Sequence, residues 1–199
     1  MKRLFVYLSV LAFAASVCAQ QNPPMSAQPP MGQHRMGHRG PVASPPEKAS
    51  VTIDGKAISI NYNSPRVKGR EGKIFTPGGL IQQTHKSYPV WRAGANAATT
   101  LHTDADLTIG RLNVPAGTYT LFVDIANPDQ WTLIVSKDTG EWGLAYKPNM
   151  DLGRTRMHMS KPSSMVEDLT YTLKDDGGNK GTMTLAWENK EASVNFTVH

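Results

Sequence analysis

Polar and apolar residues alternate along several segments of the chain, and a period of two is typical of β-strands with one buried face. The clearest segments are residues 118–125 and 131–136, and three more lie towards the C-terminus. Their apolar positions are Tyr119, Leu121, Val123, Ile125, Trp131, Leu133, Val135, Leu169, Tyr171, Leu173, Met183, Leu185, Trp187, Val194, Phe196 and Val198. Shorter strands are predicted at residues 106–110 and 154–159.

Residues that favour turns separate these segments. Asp54-Gly55 lies between two β-rich runs in VTIDGKAISINY, and such a dipeptide favours a tight hairpin turn. Helical periodicity is almost lacking after residue 49. The pattern therefore predicts an all-β fold, a single antiparallel β-sandwich of jelly-roll or Ig-like type with one long polar loop. Trp91, Trp131 and Trp187 should be buried in its core, and Trp142 should be partly exposed.

The first 19 residues have the pattern of a secretory signal peptide. Lys2 and Arg3 precede an apolar run that is shorter than a membrane span, and Val17-Cys18-Ala19 fits cleavage before Gln20. Lipid attachment at Cys18 is an alternative, which Val17 disfavours because lipoprotein signals place Gly or Ala there. We therefore expect export to the periplasm, the medium or the outer surface, with no transmembrane segment after cleavage.

Residues 20–46 are rich in Pro, Gln, Gly, Met and His and show no apolar period. This composition predicts a disordered linker, which leaves residues 47–199 as the folded domain. Met31, His34, Met36 and His38 are weak candidate ligands for copper(I) or silver(I). A flexible tether with incidental Met and His residues is the favoured interpretation, so no cofactor is expected.

The net charge of the whole chain is +5, and removal of Lys2 and Arg3 would leave +3. Proteins that bind nucleic acid usually concentrate basic residues on one face with aromatic residues for stacking. The charge here is mild, so nucleic acid is not the expected partner.

The long polar stretch, residues 63–100, concentrates basic side chains around a single acid, Glu71. These basic residues are Arg66, Lys68, Arg70, Lys73, Lys86 and Arg92. Loops of this length inside a compact domain are uncommon and tend to be functional. Arg66, Lys68 and Arg70 occupy alternate positions, so an extended backbone would direct all three the same way.

A second group of candidate residues lies later in the same stretch. Arg92 follows the aromatic Trp91, and Asn96 lies in a Gly-Ala-Asn turn that could expose backbone N–H groups. Guanidinium groups bind carboxylate or phosphate with two hydrogen bonds, and backbone donors can complete an anion site. The candidate ligand-binding residues are Arg66, Lys68, Arg70, Trp91, Arg92 and Asn96. Alternatively, Arg92 and Asn96 are structural groups that tie the loop to the sheets.

Enzymatic interpretations have less support, because the chain lacks Gly-x-Ser-x-Gly, His-Glu-x-x-His and phosphate-binding Gly-Lys motifs. A hydrolase could use His85 or His102 with Asp104 and with Ser64 or Ser87, but no spacing specifies this, so no catalytic residue is assigned. We therefore expect a non-catalytic module that binds a small anionic or saccharide-like ligand, or a partner protein, through residues 64–100. A hydrolase-like enzyme is the alternative.

Four segments resemble the hallmark segments of the exported bacterial domain-of-unknown-function family 2911. They are SPRVKGR, VWRAGANAAT, LNVPAGTYTLF and WTLIVSKDTGEWG. The resemblance runs from about residue 49 to residue 199 and implies a β-rich exported protein without an established activity or cofactor. Two departures stand out: Ala97 replaces the usual acidic residue, and IQQTHKSYP replaces a shorter turn.

Overall fold

The computed structural model describes residues 43–140 and 142–199, which form two antiparallel sheets packed face to face. The predicted signal peptide, most of the predicted linker and its Met and His residues lie outside the described residues. No helix in the described part of the chain is long and apolar enough to span a bilayer.

Sheet 1 holds most of the N-terminal strands. In spatial order it contains β1 (Pro46–Ile53), β2 (Lys56–Asn63), β4 (Thr99–Thr103), β7 (Gly117–Asp124), β8 (Thr132–Ser136) and β9 (Asp151–Arg156), and β3 (Val90–Trp91) also pairs with β7. Asp54 and Gly55 both have positive φ angles, 50° and 73°, as the predicted tight turn between β1 and β2 requires.

Sheet 2 is formed mainly by the C-terminal strands. Its order is β11 (Val166–Gly177), β12 (Lys180–Glu188), β13 (Lys190–Val198), β5 (Leu107–Ile109) and β6 (Leu112–Val114), and β10 (His158–Ser160) pairs with β13. The strand predicted at residues 154–159 is two strands, because the chain passes from sheet 1 to sheet 2 at the buried Met157.

The core lies between the sheets and uses the predicted apolar positions. Trp91, Trp131 and Trp187 are almost fully buried, whereas 59 % of Trp142 is exposed, so the predictions for all four tryptophans are confirmed. Alternation explains this result: side chains at every second position of a strand lie on the same face of the sheet. The all-β sandwich predicted from the sequence is confirmed.

One strand of sheet 1 is interrupted beside β7. Trp91 of β3 pairs with Val123, and Thr99 of β4 pairs with Leu121, so residues 92–98 leave the sheet opposite Phe122 alone. We call this segment the excursion. Ala93 and Asn96 adopt positive φ angles of 50° and 53° there, which few residues other than glycine, asparagine and aspartate tolerate.

The predicted polar loop also contributes to the core. Val67, Ile74 and Ile81 are buried, and helix α1 (Leu80–Thr84) lies within the loop. The ring centroid of Phe75 lies 5.0 to 5.7 Å from those of Trp91, Trp131 and Trp187. The loop is therefore polar in composition but is anchored by apolar side chains that both sheets surround.

The outer face of sheet 1 is partly covered by the segment that follows β8. Tyr146 packs on a small apolar cluster of Val90, Phe122 and Ile134. Its hydroxyl donates to Asp151 at 2.7 Å and accepts a hydrogen bond from Arg154. A 3-10 helix (Pro148–Met150) then leads into β9.

Candidate ligand-binding site

The first part of the long loop pairs with the outer edge of sheet 2. The Val67 amide donates to the Glu167 carbonyl at 2.9 Å, and the Leu169 amide donates to the Pro65 carbonyl at 3.0 Å. The Ser64 hydroxyl donates to the Leu169 carbonyl at 2.7 Å. These bonds fix residues 64–67 against β11.

The expectation of an extended backbone through residues 66–70 is wrong. Lys68 and Gly69 have φ angles of 48° and 69°, so the chain turns sharply and the three basic residues do not share a strand face. Arg66 forms a 2.7 Å ion pair with Asp168. Arg70 instead donates to the carbonyls of Val67 at 2.9 Å and of Arg66 at 2.6 Å. The turn nevertheless brings Arg66, Lys68 and Arg70 to one depression.

Arg92 reaches the same depression from sheet 1. It is the first residue of the excursion, and its Nη1 donates to the carbonyls of Asn96 and, at 3.0 Å, of Trp142. Its Nε is buried and has no hydrogen-bond partner among the described residues. Burial lowers the pKa of Arg92 from its ordinary value. One edge of the guanidinium group is therefore fixed by backbone, while Nε–H remains unpaired.

His85 follows helix α1 and is 6 % exposed. Its Nδ1 lies 3.2 Å from the Ile81 carbonyl and 3.0 Å from the Thr84 hydroxyl, while Nε2 is buried and has no partner in the part of the chain that the structure describes. Burial, with a further contribution from the charge of Arg92, lowers the pKa of His85 to about 4. The imidazole is therefore neutral at physiological pH.

These residues line one pocket of about 260 Å³, which we call the basic pocket. Arg66, Lys68, Arg70, Arg92 and His85 all contribute to its wall, together with Trp187 of sheet 2 and Ser44 before β1. No Asp or Glu within residues 43–140 and 142–199 lines it. Four cationic side chains and an uncharged histidine thus surround a space large enough only for a small ligand.

The other two predicted site residues lie differently. Trp91 is in the core and stacks on Trp187 with a centroid separation of 5.9 Å and an interplanar angle of 22°. Asn96 is exposed and does not line the basic pocket. Its Nδ2 donates to the Ser44 carbonyl at 3.2 Å, and its own carbonyl receives Arg92, so it supports the position of that arginine.

The serines considered for hydrolysis donate to backbone carbonyls instead of contacting a histidine. Ser64 donates to Leu169, and Ser87 donates to Leu144 at 3.3 Å. His102 does pair with Asp104 at 3.0 Å, and its Nδ1 lies 3.0 Å from the Thr118 hydroxyl. About half of each side chain in the His102–Asp104 pair is exposed, so this pair lies on an open face of sheet 1.

A larger depression of about 640 Å³ lies beside β1 and β2. It is more open and is lined by Glu47, Lys48 and uncharged residues, so its lining has no excess of either charge. The basic pocket is the stronger candidate because charge and unpaired buried nitrogen atoms coincide there. No group of three or more His, Cys, Asp or Glu residues within residues 43–140 and 142–199 could hold a metal ion.

Sequence reasoning placed His85 only among possible catalytic groups and did not include Ser44 or Trp187 in the site. These residues are brought together by tertiary contacts among the loop, the segment before β1 and sheet 2. Such contacts cannot be predicted from local sequence patterns. Arg66, Lys68, Arg70 and Arg92 could be found because basic residues are concentrated in the stretch.

The fold and the site define a class: an antiparallel β-sandwich whose longest loop builds a small basic pocket between the sheets. The chain matches the family model described as protein of unknown function (DUF2911) over residues 44–196 and belongs to that family. This result confirms the family resemblance seen in the four sequence segments. No curated protein and no solved structure matches the chain significantly.

Proposed function

We propose that the domain is a binding module that holds a small anionic ligand in the basic pocket. The observation that carries the proposal is the charge of the wall: Arg66, Lys68, Arg70 and Arg92 line it, and no carboxylate of the described residues does. Arginine stays protonated far above physiological pH, so these charges persist with or without a ligand.

The arrangement also leaves hydrogen-bonding capacity for a ligand. The Arg92 guanidinium is held by two carbonyls on one edge, which orients it before any ligand arrives. Its buried Nε–H has no acceptor within the described residues. An unpaired buried donor is unfavourable, and a carboxylate or phosphate oxygen in the pocket would satisfy it.

Calorimetric titration and thermal-shift measurements test this proposal. We expect millimolar acetate, phosphate or glucuronate to raise the melting temperature, because binding to the folded state stabilises it. Glucose, which is uncharged, should have a much smaller effect. Lys68→Ala should weaken anion binding without loss of stability, since its exposed side chain supports no described contact.

Arg111→Ala is a matched control. It removes one exposed positive charge, as Lys68→Ala does, but Arg111 does not line the basic pocket. It should leave anion affinity unchanged. Equal weakening by both variants would indicate a general effect of net charge, and absence of binding by all three anions would contradict the proposal.

A hydrolytic role has weaker support. The His102–Asp104 pair has the hydrogen bond that a general base needs, but it lies on an exposed strand face, and Ser64 and Ser87 donate elsewhere. Binding without catalysis is accordingly the function that we propose. Incubation with model esters and phosphate esters should show no turnover above that of a His102→Ala variant.

We also propose that the protein acts after export. The support is the N-terminal pattern of Lys2 and Arg3, the apolar run and Val17-Cys18-Ala19. Mass spectrometry of protein from fractionated cells should find a mature chain that begins at Gln20. A chain that retains Met1 in the cytoplasm would contradict this, and a lipid on Cys18 would establish the alternative route.

A further inference from the structure

We infer that the basic pocket selects an oxyanion that also carries an O–H donor, either a hydroxycarboxylate or hydrogen phosphate. This inference rests on the proposed function and narrows the class of ligand. It depends on the hydrogen-bonding capacity of His85, whereas the proposal above depends on the cationic residues.

The tautomer of His85 follows from its contacts. A carbonyl oxygen can only accept, so the 3.2 Å contact with Ile81 requires the proton to be on Nδ1. The Thr84 hydroxyl already donates to the Leu80 carbonyl at 2.7 Å, which leaves its oxygen free to accept from the same N–H group. In a neutral ring with Nδ1 protonated, Nε2 carries a lone pair and no proton.

Nε2 of His85 is therefore a hydrogen-bond acceptor in a residue that lines the pocket, and it lacks a donor within the described residues. Burial and the charge of Arg92 keep the imidazole in this neutral form. Arg92 also lines the pocket, and its Nε–H is a donor that lacks an acceptor among the described residues. Cationic groups alone would bind any small anion. The lone pair of His85 in addition favours an anion that has an O–H group to donate.

A hydroxyl group satisfies such a pair, because its oxygen can accept while its proton is donated. Sites that are built to pair with a ligand hydroxyl reject analogues without it, since the buried protein group is then left unpaired. A bound water molecule could pair with the same two nitrogen atoms, and in that case the pocket would not distinguish ligands by their hydroxyl groups.

Calorimetric titrations with two matched pairs of probes test the inference. Lactate and propionate have the same charge and differ by one hydroxyl group. Phosphate at about pH 8 is mainly the hydrogen phosphate dianion, which keeps one O–H group, whereas sulfate has the same charge and no O–H group. We expect wild-type protein to bind the hydroxyl-bearing member of at least one pair about tenfold more tightly. A preference only for lactate would indicate a hydroxycarboxylate, and one only for phosphate would indicate hydrogen phosphate.

His85→Phe keeps a planar ring of similar size and removes the acceptor. It should reduce the preference within each pair to about one. Equal affinities within both pairs for wild-type protein would overturn the inference and leave the proposed anion binding intact. Absence of binding by all four probes would refute both.

Nitrogen NMR of the wild-type histidines provides a test that does not depend on a variant. We expect the Nε2 resonance of His85 to have the shift of an unprotonated imidazole nitrogen. It should move when the preferred hydroxyl-bearing probe is added, and it should not respond to the matched probe without the hydroxyl. A proton on Nε2 in the free protein would overturn the inference.

Discussion

The Tyr171 hydroxyl donates a hydrogen bond of 3.1 Å to the Ala93 carbonyl. Tyr171 belongs to β11 of sheet 2, and Ala93 lies in the excursion of sheet 1. The Thr99 hydroxyl donates to the same carbonyl at 3.1 Å. Ala93 has a positive φ angle, which is costly for a residue with a Cβ, and these two bonds hold it in that conformation.

Tyr171→Phe tests the bond between the sheets. The ring contact with Tyr62, at 4.9 Å between centroids, does not need the hydroxyl and should remain. We expect a loss of about 1 kcal/mol in the free energy of unfolding, because one bond to a buried carbonyl is lost. Urea denaturation measures it. Tyr119→Phe, at a hydroxyl nearer the surface, should cost less, and the reverse order would contradict this account.

Arg92→Ala should be much more destabilising than Lys68→Ala. The arginine variant leaves the Asn96 and Trp142 carbonyls without their donor, so we expect a loss of about 2 kcal/mol. Lys68 is exposed, and its loss should cost under about 0.5 kcal/mol. Urea denaturation of both variants decides this. Equal and negligible losses would show that the Arg92 contacts contribute nothing to stability.

The low pKa of His85 predicts a decline in stability at acid pH. Burial and Arg92 lower the pKa to about 4 from an ordinary value of 6.5. Between these values the unfolded chain binds more protons than the folded one, so stability falls as pH falls from 6.5 towards 4. The contribution is fully present above pH 6.5, and its complete loss below the folded-state pKa is on the order of 3 kcal/mol.

Urea denaturation across this pH range, on wild type and His85→Phe, measures the contribution. The phenylalanine variant should show a flatter dependence, because it has no group at this position that gains a proton. His102→Phe is the control, since its exposed side chain lies outside the basic pocket. If His85→Phe retained the full decline, the acid sensitivity would come from other groups.

Phe75→Ala should show that the polar loop is anchored by its apolar residues. Its ring contacts three tryptophans, and truncation would open a cavity among them at a cost of about 3 kcal/mol. Urea denaturation followed by tryptophan fluorescence should show a lower midpoint and a changed fluorescence of the folded state. Met165→Ala, at an exposed apolar residue, should cost under about 0.5 kcal/mol. An unchanged midpoint for Phe75→Ala would contradict the anchoring role.

Strands were predictable where one side of the sheet is buried along its whole length. In β7, for example, Tyr119, Leu121 and Val123 face the core at every second position. The same alternation led to the correct burial of Trp131 and Trp187, since each lies in register with its neighbours. Local periodicity is enough for such elements because alternate residues share the same environment along the whole strand.

The site was less predictable because long-range contacts determine its backbone. The alternation of Arg66, Lys68 and Arg70 suggested a strand, but hydrogen bonds to β11 end at Lys68 and the chain turns there. Nor does any local pattern reveal that β3 has only two residues and resumes as β4 after the excursion. The basic composition indicated the region of the site, and the tertiary contacts determined its shape.

The basic pocket lies across the seam of the sandwich. Arg66 is tied to Asp168 of sheet 2, whereas Arg92 projects from the interrupted strand of sheet 1. A molecule that contacts both arginines is therefore also a cross-link between the two layers. Its presence would make the sandwich harder to pull apart, so that mechanical resistance under a stretching force would report occupancy of the pocket.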